Sequence, residues 1–178
     1  ALHDLDPVFN KFSRKNELNF LTEMIGITEP LLLQSMYIFK QPRIGGEVVC
    51  HQDSTFLYTV PESTVGFWVA LEDANIENGC MLTSKGGHKG PLRQLWKRSK
   101  NDLKMETLDK TPFEKMDTLL EVKKGSLILI HGRLPHYSCE NTSNKSRHAY
   151  TLHVIDGNCK YSSNNWLQRS SMPLKGFI

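Results

Sequence analysis

His51, Gln52 and Asp53 form a triplet whose outer members can grip one metal ion together. In an extended chain successive side chains point to opposite faces, so positions i and i+2 share one and Gln52 points away. A His-x-Asp pair is common by chance, and a third ligand must come from elsewhere in the fold. Candidates are His131 and His136: the run Ser126 to His131 reads as a short buried strand, which His136 closes, so one strand with two histidines near its end is expected to form the metal wall. Two imidazoles and one carboxylate make the facial triad that holds non-haem Fe(II) and leaves three positions open for substrate and oxygen. Arg147 stands eleven positions after His136. Its planar guanidinium suits bidentate capture of a carboxylate, such as the distal group of a 2-oxo diacid.

The elements that must position these residues are mostly strands. Asp6 can cap a helix with Pro7 at its first position, and Asn16 to Ile25 carry apolar residues at helical spacing until Gly26. After Pro30 the pattern changes. The segments 31–40, 47–51, 65–71, 126–131 and 147–155 are short apolar or alternating runs rich in Val, Ile, Tyr, Phe and Trp, separated by Gly, Pro, Asn and Asp. Strands without intervening helices predict a mainly β fold, an antiparallel sandwich or jelly roll with flanking N-terminal helices. The polar stretch 97–116 is expected to be a loop with a short helix, lying over the sandwich mouth where substrate-selecting segments tend to sit.

Composition narrows the class. The 178 residues fit one domain with a real core, and 39% hydrophobic with 23% charged residues is ordinary globular usage. A balance of 22 Lys+Arg against 19 Asp+Glu, net +3, is too small a surplus to argue for nucleic acid, and the basic run from Lys89 to Lys104 reads as a solvated loop. No apolar stretch reaches the roughly 18 residues of a membrane span. Cys50, Cys80, Cys139 and Cys159 form no Cys-x-x-Cys pair, so free thiols and a cytoplasmic location are expected.

Longer words in the sequence sharpen this reading. Gln34 to Pro42, Gly45-Gly46-Glu47-Val48, His51-Gln52-Asp53 with Phe56-Leu57-Tyr58-Thr59, Glu72-Asp73-Ala74, Glu77-Asn78-Gly79-Cys80, Leu129-Ile130-His131-Gly132 and Asn165-Trp166-Leu167-Gln168 resemble the phytanoyl-CoA dioxygenase family over nearly the whole chain. Within it the likeness is greatest to the phytanoyl-CoA dioxygenase domain-containing group. The resemblance implies an Fe(II)- and 2-oxoglutarate-dependent dioxygenase on a double-stranded β-helix, a jelly-roll variant, covering 1–178 as a single domain. It implies a small organic substrate, molecular oxygen, 2-oxoglutarate as cosubstrate and ascorbate as a supporting reductant. Carried over residue by residue, it makes His51, Asp53 and His136 the iron ligands, Arg147 the partner of the distal 2-oxoglutarate carboxylate, and Met36 and Trp68 lining residues of the cosubstrate site. His131 would then be a structural or outer residue.

Two departures from the family pattern carry expectations. Lys85 replaces the proline of a Pro-Gly-Ser-His turn, which removes a fixed φ and should loosen the turn, with His88 a turn residue. Relatives also extend upstream of the segment matching Ala1 and carry there a lysine that helps bind 2-oxoglutarate, so the domain is expected to lack its N-terminal part. Two other readings stand beside the oxygenase: a non-catalytic metal- or ligand-binding jelly roll, and a zinc hydrolase using the same three ligands. The hydrolase leaves Arg147 without a role.

Overall fold

A computed structural model describes residues 1–100 and 102–177. Among these residues three short helices, α1 (Leu2–Leu5), α2 (Pro7–Ser13) and α3 (Asn16–Met24), precede twelve strands. These are β1 (Pro30–Ile38), β2 (Val48–His51), β3 (Thr59–Val60), β4 (Val65–Ala70), β5 (Met81–Thr83), β6 (Gln94–Ser99), β7 (Asp102–Thr107), β8 (Thr118–Leu120), β9 (Leu127–His131), β10 (His136–Ser138), β11 (Ala149–Asp156) and β12 (Lys160–Tyr161). Two four-stranded antiparallel sheets, ordered β1-β11-β4-β9 and β2-β10-β5-β8, form the jelly roll. The N-terminal signals act as their chemistry dictates. The Asp6 carboxylate accepts hydrogen bonds from the Val8 and Phe9 amides at 2.9 and 3.1 Å ahead of Pro7, and Gly26 follows α3 at φ +85°.

Period-two alternation places the core. On β4, Phe67 and Val69 face the helices and join Leu18, Leu32, Tyr150, Leu152 and Val154 in one apolar cluster, while Trp68 and Ala70 face the other sheet and pack with Cys80, Met81 and Ile130. β11 is buried at every position because helices cover one face and the second sheet the other. Its Tyr150, Leu152 and Val154 pack into the apolar cluster on the helix side, while Thr151 and His153 line the cavity between the sheets. Each fully buried large aliphatic or aromatic side chain contributes roughly 1.5–3 kcal/mol, so these two layers hold the sheets in fixed register.

Two sequence expectations are corrected here. Among its described residues the stretch 97–116 contains no helix: β6 and β7 pair as an antiparallel hairpin from Gln94↔Thr107 to Ser99↔Asp102, and residues 108–116 are irregular. All of β7 is exposed, so its alternating Leu103 and Met105 bury no face; the backbone ladder, the buried Leu95 of β6 and the 2.6 Å Lys97–Glu106 ion pair hold the hairpin. His136 does not share a strand with His131. β9 ends at His131 in the first sheet, and His136 opens β10 in the second.

Candidate metal centre

The local backbone aims each ligand. β2 ends at His51, Gln52 stays extended (φ −116°, ψ 134°), and Asp53 opens a 3-10 turn, Asp53–Thr55. Extension at Gln52 alone keeps His51 and Asp53 on one side and sends Gln52 the other way. There the buried carboxamide donates to the Pro91 and Arg133 carbonyls at 3.1 and 2.7 Å and accepts from the Arg93 amide at 2.9 Å. Across the β2–β10 ladder His136 pairs directly with His51, which brings a residue eighty-five positions away opposite the first ligand.

Each imidazole has its Nδ1 against a backbone carbonyl, His51 on Val49 at 2.8 Å and His136 on Leu134 at 3.0 Å. A carbonyl only accepts, so Nδ1 carries the proton and Nε2 presents a lone pair. The two Nε2 atoms lie 3.6 and 3.8 Å from Asp53 Oδ1. Two lone pairs and a carboxylate oxygen therefore converge on one point, an arrangement that a cation relieves. Among the described residues, His51, Asp53 and His136 are the one such group whose ligand atoms all lie within 4.8 Å of one another. Neighbouring donors on an ion bound at roughly 2.1 Å stand roughly 3 Å apart in octahedral geometry, so each imidazole would close on the carboxylate oxygen by less than about 1 Å to share a metal. Charge follows the same geometry. Burial opposes charging His51, but the Asp53 carboxylate outweighs it and raises the imidazole pKa. Burial prevails at His136 and lowers its pKa. Burial alone would push the Asp53 carboxyl up; the surrounding imidazoles, His153 foremost, hold it well below its ordinary range.

Arg147 lies in the same cavity, not at its mouth: only 1% of its surface is exposed. Its Nε and Nη2 donate to the Gly79 carbonyl at 3.0 and 2.8 Å, Nη2 lies 3.4 Å from Ser138 Oγ, and the guanidinium carbon sits 5.4 Å from the Trp68 ring centre. Gly79 is at φ +82°, and a Cβ there would meet the Cys139 carbonyl oxygen at 2.6 Å. Only glycine can turn this carbonyl toward the arginine. Nη1 is buried without a partner. Burial lowers the Arg147 pKa to about 10 and that of nearby Lys40 to about 8, Lys40 also feeling the arginine's charge. Both remain cations at neutral pH, and Arg147 Nη1 has no partner in the cavity.

Met36 and Trp68 line the cavity in one cross-strand row, Met36↔Thr151↔Trp68, with Met36 39% exposed and Trp68 buried. His131 does not: it accepts the Arg133 amide at 3.0 Å and stands 5.3 Å from the His88 ring, which sits in the short 3-10 turn Gly87–Lys89. Sequence reasoning missed Ser138, Thr151 and His153, all cavity-lining. The signal for two of them was present, since 147, 149, 151 and 153 share one face of an extended run.

A jelly roll in which two histidines and one aspartate converge, beside a buried arginine with one free Nη1, is an arrangement that could hold a metal ion. The chain belongs to the phytanoyl-CoA dioxygenase (PhyH) family, which it matches over residues 3–149. It is 47% identical over 174 residues to "Phytanoyl-CoA dioxygenase" of Arabidopsis thaliana and 51% identical to "Phytanoyl-CoA dioxygenase 1" of Oryza sativa subsp. japonica, in each case covering 97% of this chain and 62% of the relative. It is 43% identical to "Phytanoyl-CoA dioxygenase domain-containing protein 1" of Danio rerio, covering 94% and 60%. The chain thus spans about three fifths of the length of these relatives. Its fold is similar to that of the non-heme monooxygenase ThoJ in its nickel complex (TM-score 0.70, 15% identity, 92% of this chain and 59% of that one). It is also similar to the epimerase SnoN, solved with Fe3+, alpha ketoglutarate and nogalamycin RO (TM-score 0.69, 18% identity, 85% and 60%). No helix of the described residues is long and apolar enough to cross a membrane.

Proposed function

We propose that this single domain is an Fe(II)- and 2-oxoglutarate-dependent dioxygenase that hydroxylates an organic substrate. The observation that carries the reading is the unpartnered Nη1 of Arg147 in the cavity that holds the convergent His51, Asp53 and His136. These three would hold the iron. Iron with 2-oxoglutarate supplies oxygen activation coupled to decarboxylation, so that substrate C–H, 2-oxoglutarate and O2 become C–OH, succinate and CO2.

The chain's own residues provide binding and order. Nδ1 bonds to Val49 and Leu134 fix both imidazoles in the ligating tautomer before any metal arrives. Arg147, clamped by Gly79, offers Nη1 to the distal carboxylate of the cosubstrate, and Trp68 and Met36 flank that anion. Ile38, Met81 and Ile130 supply an apolar lining that keeps water from competing for these groups. The names of the relatives make an acyl-CoA thioester the first substrate to test.

Anaerobically purified protein, loaded with Fe(II) and ascorbate and given 2-oxoglutarate and oxygen, is expected to form succinate, with candidate substrates increasing the yield. Asp53→Ala should lower succinate formation by about 100-fold or more through loss of the metal. Folded, iron-loaded wild-type protein that makes none in the presence of candidate substrates would instead identify a non-catalytic binding protein.

A further inference from the structure

His153 faces the metal group from the opposite sheet, and its contact differs from those of the other histidines. His51 and His136 approach Asp53 at Oδ1, whereas His153 Nε2 stands 3.3 Å from Oδ2. The carboxylate is thus divided, with one oxygen turned to the two ligating histidines and the other to the third. The approach to Oδ2 is off-line, so that oxygen has no formed hydrogen bond, and His153 Nδ1 is also buried without a partner.

The backbone makes room for this pairing. In the β4–β11 ladder His153 lies directly opposite Gly66. A Cβ on Gly66 would stand 3.0 Å from Asp53 Oδ2 and 3.5 Å from both Cδ2 and Nε2 of His153. Asp53 reaches across from the other sheet into a gap that the absent side chain leaves, and His153 closes that gap from its side. Any larger residue at 66 would push the carboxylate off the imidazole or toward the two ligands.

We propose that His153 is a positioning residue for the metal centre: when the ligands close on an ion, a small turn of the carboxylate brings Oδ2 into line with His153 Nε2–H, and that bond keeps the aspartate monodentate through Oδ1. A carboxylate left free to rotate could chelate with both oxygens and occupy a coordination position that cosubstrate or oxygen requires. Held at Oδ2, it contributes one donor and leaves three positions open. This rests on the assignment of His51, Asp53 and His136 as ligands.

The test uses Co(II) as a spectroscopic probe, titrated anaerobically into wild type, His153→Leu and His153→Gln, with apo thermal melts as the check on folding. The leucine variant is expected to bind Co(II) about 10- to 100-fold more weakly and with shifted ligand-field bands. Glutamine, which restores an N–H near the Nε2 position, should return affinity to within a few-fold of wild type and recover the spectrum. Gly66→Ala acts on the same oxygen from the other side and should also weaken Co(II) and shift the bands, which decides the matter if the leucine variant does not fold. A folded His153→Leu protein with wild-type affinity and spectrum overturns the role of His153 alone. If wild-type protein takes up no Co(II), the ligand assignment falls and this proposal with it.

Discussion

Two aspartates stand among cationic and imidazole groups, Asp4 half-buried and Asp53 buried, and the protein treats them in opposite ways. Asp4 is a fastener. Its Oδ1 accepts Arg14 Nη2 at 2.7 Å and its Oδ2 accepts Arg169 Nη2, while Arg169 also donates to the Leu33 and Met172 carbonyls at 2.6 and 3.1 Å. His3 beside it is tied to Ser35 Oγ through Nδ1 at 2.7 Å and through its amide at 3.1 Å, so helices, β1 and the C-terminal segment meet in one network. Of these groups only His3 Nε2 lacks a partner. Around Asp53 the imidazoles stand at 3.3 to 3.8 Å, and Asp53 Oδ2, Arg147 Nη1, Thr151 Oγ1 and His153 Nδ1 are all unpaired in one cavity. Buried polar groups are normally satisfied from within the chain. A cluster that is not satisfied marks where a ligand completes the structure, and a cluster that is satisfied marks where the chain completes itself.

The contrast can be broken at either end. The largest effect is expected from Asp4→Ala, which leaves two nearly buried guanidinium groups without their counter-charge. Denaturant unfolding should show a loss of about 3–5 kcal/mol, while the fraction that remains folded binds Co(II) nearly as wild type does. A loss below about 1 kcal/mol would show that Asp4 fastens nothing.

The next effect is a pH dependence. Burial first of all, with Arg169 and Arg14 adding to it against the opposing charge of Asp4, lowers the His3 pKa from 6.5 to about 4. Because the unfolded chain takes this proton more readily than the folded one, stability is full above pH 6.5 and is lost as pH falls toward 4. Unfolding free energies measured across this window should show His3 contributing roughly 2–3 kcal/mol, and His3→Asn should flatten the slope by that amount. An unchanged slope would remove His3 from the network.

The smallest effect tests the open cluster. Arg147→Ala should raise the 2-oxoglutarate concentration needed for half-maximal turnover by about 10- to 100-fold, while Co(II) still binds. An unchanged requirement would take Arg147 out of the cosubstrate site.

Legibility followed the range of the interactions. The Asp6 cap, the Gly26 stop and five strand segments were readable because caps and alternation depend on neighbours a few positions away. The β6–β7 hairpin was not, because its runs are short and mostly polar: β7 is exposed at every position and its Leu103 and Met105 cover no core, while on β6 only Leu95 is buried. His153 illustrates an intermediate case. Its place on the inner face of β11 followed from Arg147 by counting in twos, but nothing in that count says that Asp53 would lie 3.3 Å away.

The sequence by itself determined which side chains share a face: His51 with Asp53 across an extended Gln52, and Thr151 with His153 along β11, with Arg147 in the run that leads into it. Those relations are set by backbone geometry over two to six residues. The family resemblance had already chosen His136 over His131, but only the tertiary structure decided that His136 stands directly opposite His51 on a neighbouring strand, that Arg147 is buried, and that His153 and Gly66 bracket Asp53. These depend on which strands pair, in what register, and how two sheets stack. Such choices are fixed by packing of the whole apolar interior and by no short stretch of chain.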